Sequence, residues 1–359
     1  MKRSAKILAL LLISAFVLSG CVGENTTDTD SSVVSQTESS TSADESSPSD
    51  VESDTSSEES VTSDEESSTE NQDSSTDSGS GDITEVSYME KFKDMIEEMA
   101  PKDILIEREG VTYPTFEKYH YYSTTAERDT PVNVLLPADF SEDKEYPVLY
   151  ILHGYYDNED WMKRDAVHLD TMLTNLIADG AAEEMIVVLP YIYCSKDMPY
   201  CTGMDTQNTL NYDNFINDMM TDLMPYIEEN FPIKAGRENT AITGFSMGAR
   251  ESLFIGFSHP ETFGYIGGVC AAPGLINGTG YPYQLEKDEF CFTDTTPYLL
   301  MLSAADNDGV VGNNPMTYHT LLNANGTEHL WHTMSSTGHD ASSVTPHLYN
   351  FMRMIFKEV

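Results

Sequence analysis

Basic residues are scarce in this chain of 359 residues, where 19 Lys and Arg stand against 60 Asp and Glu, a formal net charge of −41. A surface this acidic repels phosphate backbones and anionic lipid headgroups, so nucleic acid is not an expected partner. Cysteine is sparse as well. The five present include no Cys-x-x-Cys pair and have no His pair at ligand spacing beside them, so the sequence offers no metal site. Long apolar runs are also lacking. The stretch at residues 7–18 is too short to cross a bilayer as a mature helix, and no other segment resembles a span. Residues 24–82 contain no Lys or Arg and almost no large apolar side chains, but they carry 18 acids among Ser and Thr. Such a segment cannot bury enough apolar surface to offset the entropy of ordering it. Residues 22–82 therefore read as a disordered acidic tether. Residues 83–359 are long enough for one α/β domain with a substantial core.

The amino terminus has a basic region, Met1-Lys-Arg-Ser-Ala-Lys6, ahead of the apolar stretch. That order fits a secretory signal, here residues 1–21. It ends in Leu18-Ser-Gly-Cys21, which resembles the bacterial lipobox, whose cysteine is acylated and becomes the new terminus. The expected location is the extracellular face of the bacterial membrane, with a lipid anchor at Cys21 as the contact with the membrane. A coil of the tether's length reaches roughly 40–45 Å, more with charge repulsion. Export permits disulfides, and four cysteines allow three pairings. Cys194 and Cys201 flank one loop, which favours Cys194 with Cys201 and Cys270 with Cys291.

From residue 83 onward the hydrophobic pattern alternates between helical and strand periods. Ser87-Tyr-Met-Glu90 reads as a capping box opening a helix that runs to residue 99. Strands are expected at residues 115–123, 131–136, 147–152, 184–190, 241–244, 265–270, 297–303 and 329–334. Helices are expected at residues 166–178, 212–230, 247–257, 315–323 and 344–356. The nearly continuous apolar strands point to a mostly parallel central sheet with helices on both faces.

The sharpest motif is Gly244-Phe-Ser-Met-Gly248, set between the fifth strand and a helix. A serine flanked by glycines at a strand-to-helix turn is the nucleophile elbow of the α/β-hydrolases. Its hydroxyl needs a base, and in this fold the partners follow in the order serine, acid, histidine. Among nine histidines, His339 in Thr337-Gly-His-Asp340 is placed just past the last strand. The acid belongs in Ser303-Ala-Ala-Asp-Asn-Asp-Gly309, where spacing leaves Asp306 and Asp308 both open. An oxyanion hole needs amides aimed at the developing charge, and those of Met247 and Tyr155 are the candidates. His153, beside Gly154, reads as a structural loop residue.

These pieces resemble carbohydrate esterase family one, the feruloyl and acetylxylan esterases. The resemblance runs over about residues 146–356. It rests on Tyr146-Pro-Val-Leu-Tyr-Ile-Leu-His-Gly154, Asp222-Leu-Met-Pro-Tyr-Ile-Glu228, the elbow and Gly338-His-Asp340. It implies the α/β-hydrolase fold, a Ser246–His339 pair and no cofactor or metal. It favours Asp308 as the acid, because Asn307-Asp308 matches the family's Asn-Asp turn. The implied activity is ester hydrolysis on plant-cell-wall xylan, with an ester-bearing polysaccharide or oligosaccharide as substrate. Tyr156 and Trp161, in the loop after the third strand, suit stacking on a sugar or feruloyl ring. Arg250 departs from the family pattern, and the sequence does not place it at the surface or near the pocket. Other substrates for the same residues are a siderophore-type ester, a small thioester or an acyl acceptor other than water. A silent carbohydrate-binding protein is the alternative from another class.

Overall fold

The computed structural model describes residues 86–163, 167–276 and 283–358. The signal segment, Cys21 and the tether lie outside them. Eight strands form one sheet among the described residues: β1 (Glu117–Ser123), β2 (Arg128–Leu135), β3 (Val148–Leu152), β4 (Ile186–Pro190), β5 (Thr240–Gly244), β6 (Tyr265–Val269), β7 (Leu299–Ala305) and β8 (Leu330–Met334). Their spatial order is β1-β2-β4-β3-β5-β6-β7-β8. The first two neighbour pairs are antiparallel and all later pairs are parallel. Every residue of β3, β4, β5 and β6 is buried, as expected of parallel strands covered on both faces.

The helices are α1 (Tyr88–Phe92), α2 (Leu169–Ala178), α3 (Thr206–Asp218), α4 (Met224–Asn230), α5 (Met247–Ser258), α6 (Asn314–Ala324) and α7 (Ala341–Met354). Two adjacent glycines of β6 show how closely two of them approach the sheet. A Cβ on Gly267 would sit 2.9 Å from the Phe351 ring of α7, and one on Gly268 would meet Ala249 and Leu253 of α5 at 3.3–3.4 Å. Successive strand residues face opposite sides, so α5 and α7 cover opposite faces.

Three expectations are corrected. The helix expected to run to residue 99 is α1 plus a 3₁₀ turn, Lys93–Met95. Ser87 does cap it, accepting from the Glu90 amide at 3.1 Å. The chain then leaves the helix because Asn350 of α7 captures its backbone, accepting from the Glu97 amide at 2.9 Å and donating to the Glu97 carbonyl at 2.7 Å. The helix expected from residue 212 begins at Thr206, where Asp205 accepts from the Asn208 amide at 2.9 Å, and it continues through a π turn, Met219–Leu223, into α4. A first turn made of Thr, Gln and Asn carries little helical periodicity, and the N-cap supplies the start instead. The expected disulfides are also absent, since all four described cysteines are free thiols. Cys194 lies 3.6 Å from the Ser123 hydroxyl, and Cys270 is completely buried while Cys291 is not.

A buried polar chain crosses the core on the α7 side. His332 donates from Nε2 to the Glu98 carbonyl at 3.0 Å, which leaves Nδ1 to accept from Ser303 Oγ at 3.2 Å. Ser303 in turn accepts from His347 Nδ1 at 2.7 Å, and His347 Nε2 accepts from Thr243 Oγ1 at 2.8 Å. With His332 neutral each donor fixes the next, and the whole pattern is satisfied with both imidazoles neutral. Burial pushes His347 down to about 3, with the neighbouring His332 acting in the same direction. Below the ordinary histidine value the unfolded chain binds a proton that the folded chain refuses, so stability falls as pH drops from about 6.5 toward 3. His347→Gln is expected to flatten the pH dependence of unfolding free energy between pH 4.5 and 6 by about 1.4 kcal/mol per pH unit, read from urea unfolding curves. An unchanged slope would remove His347 from this account.

Candidate active site

The sheet carries its functional side chains at the carboxyl ends of the parallel strands. At the end of β5 the chain turns into α5 with Ser246 at φ 56° and ψ −114°. This is a left-handed, strained conformation for a residue with a side chain. Backbone bonds hold it in place. The Ser246 amide donates to the Val269 carbonyl and its carbonyl accepts from Ala272, both at 3.0 Å, while the Phe245 amide donates to Leu152 at 3.0 Å. The flanking glycines permit the closeness. A Cβ on Gly244 would lie 2.4 Å from the Gly248 carbonyl oxygen, and one on Gly248 would lie 2.4 Å from the carbonyl oxygens of Leu152 and His153.

His339, between β8 and α7, brings Nε2 to 2.8 Å from Ser246 Oγ. Its Nδ1 lies 2.7 Å from Asp308 Oδ2. Asp308 follows β7, and its Oδ1 accepts from the amides of Val310 and Val311 at 2.9 and 3.0 Å. Burial acts to raise the Asp308 carboxyl, but the bonds from His339 and those two amides outweigh it and hold the group below its ordinary value. Asp308 therefore stays ionised, fixes the Nδ1–H tautomer of His339, and leaves Nε2 free to accept from the serine. Asp306 is exposed and reaches none of these atoms; its amide donates to the Met334 carbonyl at 3.1 Å. The Phe245 ring lies against His339 at 4.5 Å and is itself stacked on Trp161 at 5.1 Å.

Ser246 opens into a cavity of about 380 Å³ that Tyr155 and Met247 also line. Met247 is the first residue of α5, so its amide is one of the four at the helix start with no intrahelical acceptor. Tyr155 follows Gly154 in the loop after β3. The rest of the wall comes from Met204 and Asp205 just before α3, from Thr206 and Thr209 in its first turns, from Ala272 and Pro273, and from Val310 and Val311. None of these wall residues is singled out by the sequence: Thr206 and Thr209 lie on α3, and the others lie in segments after strand ends. Tyr156 and Trp161 do not line the cavity. Tyr156 is exposed and has φ 66°, with its amide donating to the Tyr212 hydroxyl at 3.0 Å. Trp161 stands behind Phe245. His153 is buried and structural: Nδ1 donates to the Gly154 carbonyl at 2.8 Å and Nε2 accepts from the Ile192 amide at 3.1 Å, with burial pushing the ring down to about 4. Arg250 is fully buried, paired with Asp213 of α3 and donating to the Tyr283 carbonyl at 2.7 Å. It ties α5 to α3 rather than facing solvent.

A strained serine at the tip of a central parallel strand, bonded to a histidine that is bonded to a carboxylate, defines the serine-hydrolase type of α/β-hydrolase. A family model described as "Putative esterase" matches residues 123–311, and the chain belongs to that family. It is similar to the CE1 ferulic acid esterase of Anaeromyces mucronatus, solved in complex with ferulic acid. That structure is 38% identical, with a TM-score of 0.68, over 73% of this chain and 97% of that one. An endo-1,4-beta-xylanase/feruloyl esterase of Xylanibacter ruminicola is 30% identical over 193 residues, 52% of this chain. The match spans only 25% of that longer protein. An S-formylglutathione hydrolase of Staphylococcus aureus shares the fold, at 16% identity and a TM-score of 0.53 over 68% of this chain and all of that one. The chain is thus a CE1-like esterase by family.

The geometry separates the two aspartates. Asp308→Asn is expected to lower ester turnover by orders of magnitude by disturbing the histidine tautomer, whereas Asp306→Asn stays within a few-fold of the unaltered protein. Steady-state rates on one soluble ester check this, and the reverse ranking would reassign the acid.

Proposed function

We propose that the chain hydrolyses carboxylic esters on plant-cell-wall polysaccharide, feruloyl or acetyl xylan, with Ser246 as nucleophile, His339 as base and Asp308 as the acid of the triad. The observation that carries this reading is the hydrogen-bonded line Asp308–His339–Ser246 opening into a cavity shared with Tyr155 and Met247. Ser246 Oγ attacks the ester carbonyl while His339 Nε2 takes its proton. The amides of Met247 and Tyr155 stabilise the resulting oxyanion, each worth about 2.7–4 kcal/mol in the transition state. His339 then returns the proton to the departing alcohol of the sugar. Water, deprotonated by the same nitrogen, releases the acyl group from Ser246. The cavity mixes Met204, Val310 and Val311 with the polar Asp205, Thr206 and Thr209, a lining suited to a flat acyl group with a polar edge. The ferulate named for the Anaeromyces mucronatus relative supports the same substrate class.

Location is part of the proposal. The basic start, short apolar stretch and Cys21 support a lipid anchor on the outer face of the cell membrane. The acidic residues 22–82 then hold the esterase domain away from the lipid, where polymeric substrate can reach it.

Nitrophenyl acetate hydrolysis is expected in the unaltered protein and absent in Ser246→Ala. Release of ferulate and of acetate from xylan fragments, compared directly, identifies the acyl group. No turnover on any ester would refute the enzymatic reading. In cells, Cys21→Ser is expected to abolish fatty-acid labelling and to move the protein from the membrane fraction, while labelling that persists would refute the anchor.

A further inference from the structure

One buried nucleophilic group beside the site has no place in the reaction. Cys270 follows β6 with φ 50°, in the left-handed region, and its amide donates to the Ser303 carbonyl at 2.9 Å. The thiol is fully buried, and burial pushes it up to about 12, so it is neutral. The backbone turns it toward the acid and base. Cys270 Sγ, a carboxylate oxygen of Asp308 and a ring nitrogen of His339 all lie within 4.8 Å of one another.

We propose that Cys270, Asp308 and His339 form an inhibitory site for a borderline-soft divalent cation, with Zn²⁺ as the fitting ion. Zinc binds thiolate sulfur at about 2.3 Å and imidazole nitrogen or carboxylate oxygen at about 2.0–2.2 Å, so tetrahedral ligands stand roughly 3.3–3.6 Å apart. The Asp308–His339 contact of 2.7 Å must open slightly and the sulfur must close in, movements on the order of 1 Å. The set of sulfur, nitrogen and oxygen donors leaves a fourth position for water. It rejects Mg²⁺ and Ca²⁺, which require mostly oxygen ligands. The metal takes Nδ1 of His339. The single proton of the neutral ring then resides on Nε2, and the thiol proton leaves to water, so one proton is released per ion bound. Nε2 faces Ser246 Oγ at 2.8 Å, and once protonated it cannot accept the serine proton. The ion therefore switches the base off without occupying the substrate cavity.

Binding does not depend on the catalytic reading, although inhibition does, and the two are measured separately. Ser246→Ala protein is titrated with ZnCl₂ against a chromophoric zinc chelator. One ion per chain is expected, with affinity reduced at least tenfold when Cys270→Ala is added. Mg²⁺ should not compete. Cys201→Ser combined with Cys291→Ser, which removes the two partly exposed thiols, should leave the affinity unchanged. If Cys270→Ala does not fold, Cys270→Ser replaces it with the same expected loss. Unchanged affinity in the Cys270 variant, or loss of binding in the Cys201 and Cys291 variant, overturns the site. In the unaltered enzyme, stoichiometric Zn²⁺ should suppress nitrophenyl acetate turnover and EDTA should restore it. Zinc bound with turnover intact overturns the inhibition.

Discussion

The architecture of the site depends on one strained backbone position. Ser246 sits at φ 56°, a conformation costing of order 1–3 kcal/mol for a residue with a side chain, and it persists because the surroundings determine it several times over. Its amide is bound by β6, its carbonyl by the segment after β6, and the neighbouring Phe245 amide by β3. Gly248 packs directly on the carbonyls at the end of β3, which is also where the Tyr155 loop begins. The serine, the start of α5 and the Tyr155 loop are therefore set by one packing event. A shift at any of these strand ends would move all three together.

Asp308 and His339 are held from the other half of the sheet. Asp308 is fixed by the amides of Val310 and Val311, and those same residues line the cavity. Beneath them, the chain Thr243–His347–Ser303–His332 joins β5, α7, β7 and β8 through hydrogen bonds whose directions are all fixed. Thr243 lies three residues before Ser246, and Ser303 five residues before Asp308. The network braces these elements because it is completely satisfied: an unpaired member buried here would cost about 1–3 kcal/mol. Cys270 belongs to the same region: its amide donates to the Ser303 carbonyl of β7, and its thiol lies within 4.8 Å of Asp308 and His339.

Much of this was legible in the sequence for identifiable reasons. Strands β3 and β4 are continuous apolar runs, and Gly244 and Gly248 mark a turn that has no room for a Cβ. Asp308 could not be separated from Asp306 by spacing, because both lie in one polar turn; resemblance favoured Asp308, and the exposed Asp306 lies outside the hydrogen-bonded line. Other features were hidden because they are tertiary. Asn350 ends the first helix from more than 250 residues away, and a side-chain cap starts α3 within a polar stretch that has no periodicity. The cavity wall was missed because Met204, Thr209 and Val311 meet only in space. Aromatic content near the elbow singled out Tyr156 and Trp161, but ring chemistry does not reveal direction, and Trp161 stacks on Phe245 behind the base.

The central claim is that Ser246 alone among the serines of this domain is an activated nucleophile. Labelling with a fluorophosphonate, followed by intact-protein and peptide mass spectrometry, tests it most directly, because the reagent reports the activated hydroxyl without regard to the natural ester. The account predicts one adduct per chain on the peptide containing Ser246, lost in His339→Ala. No adduct, or an adduct on another serine, would contradict it.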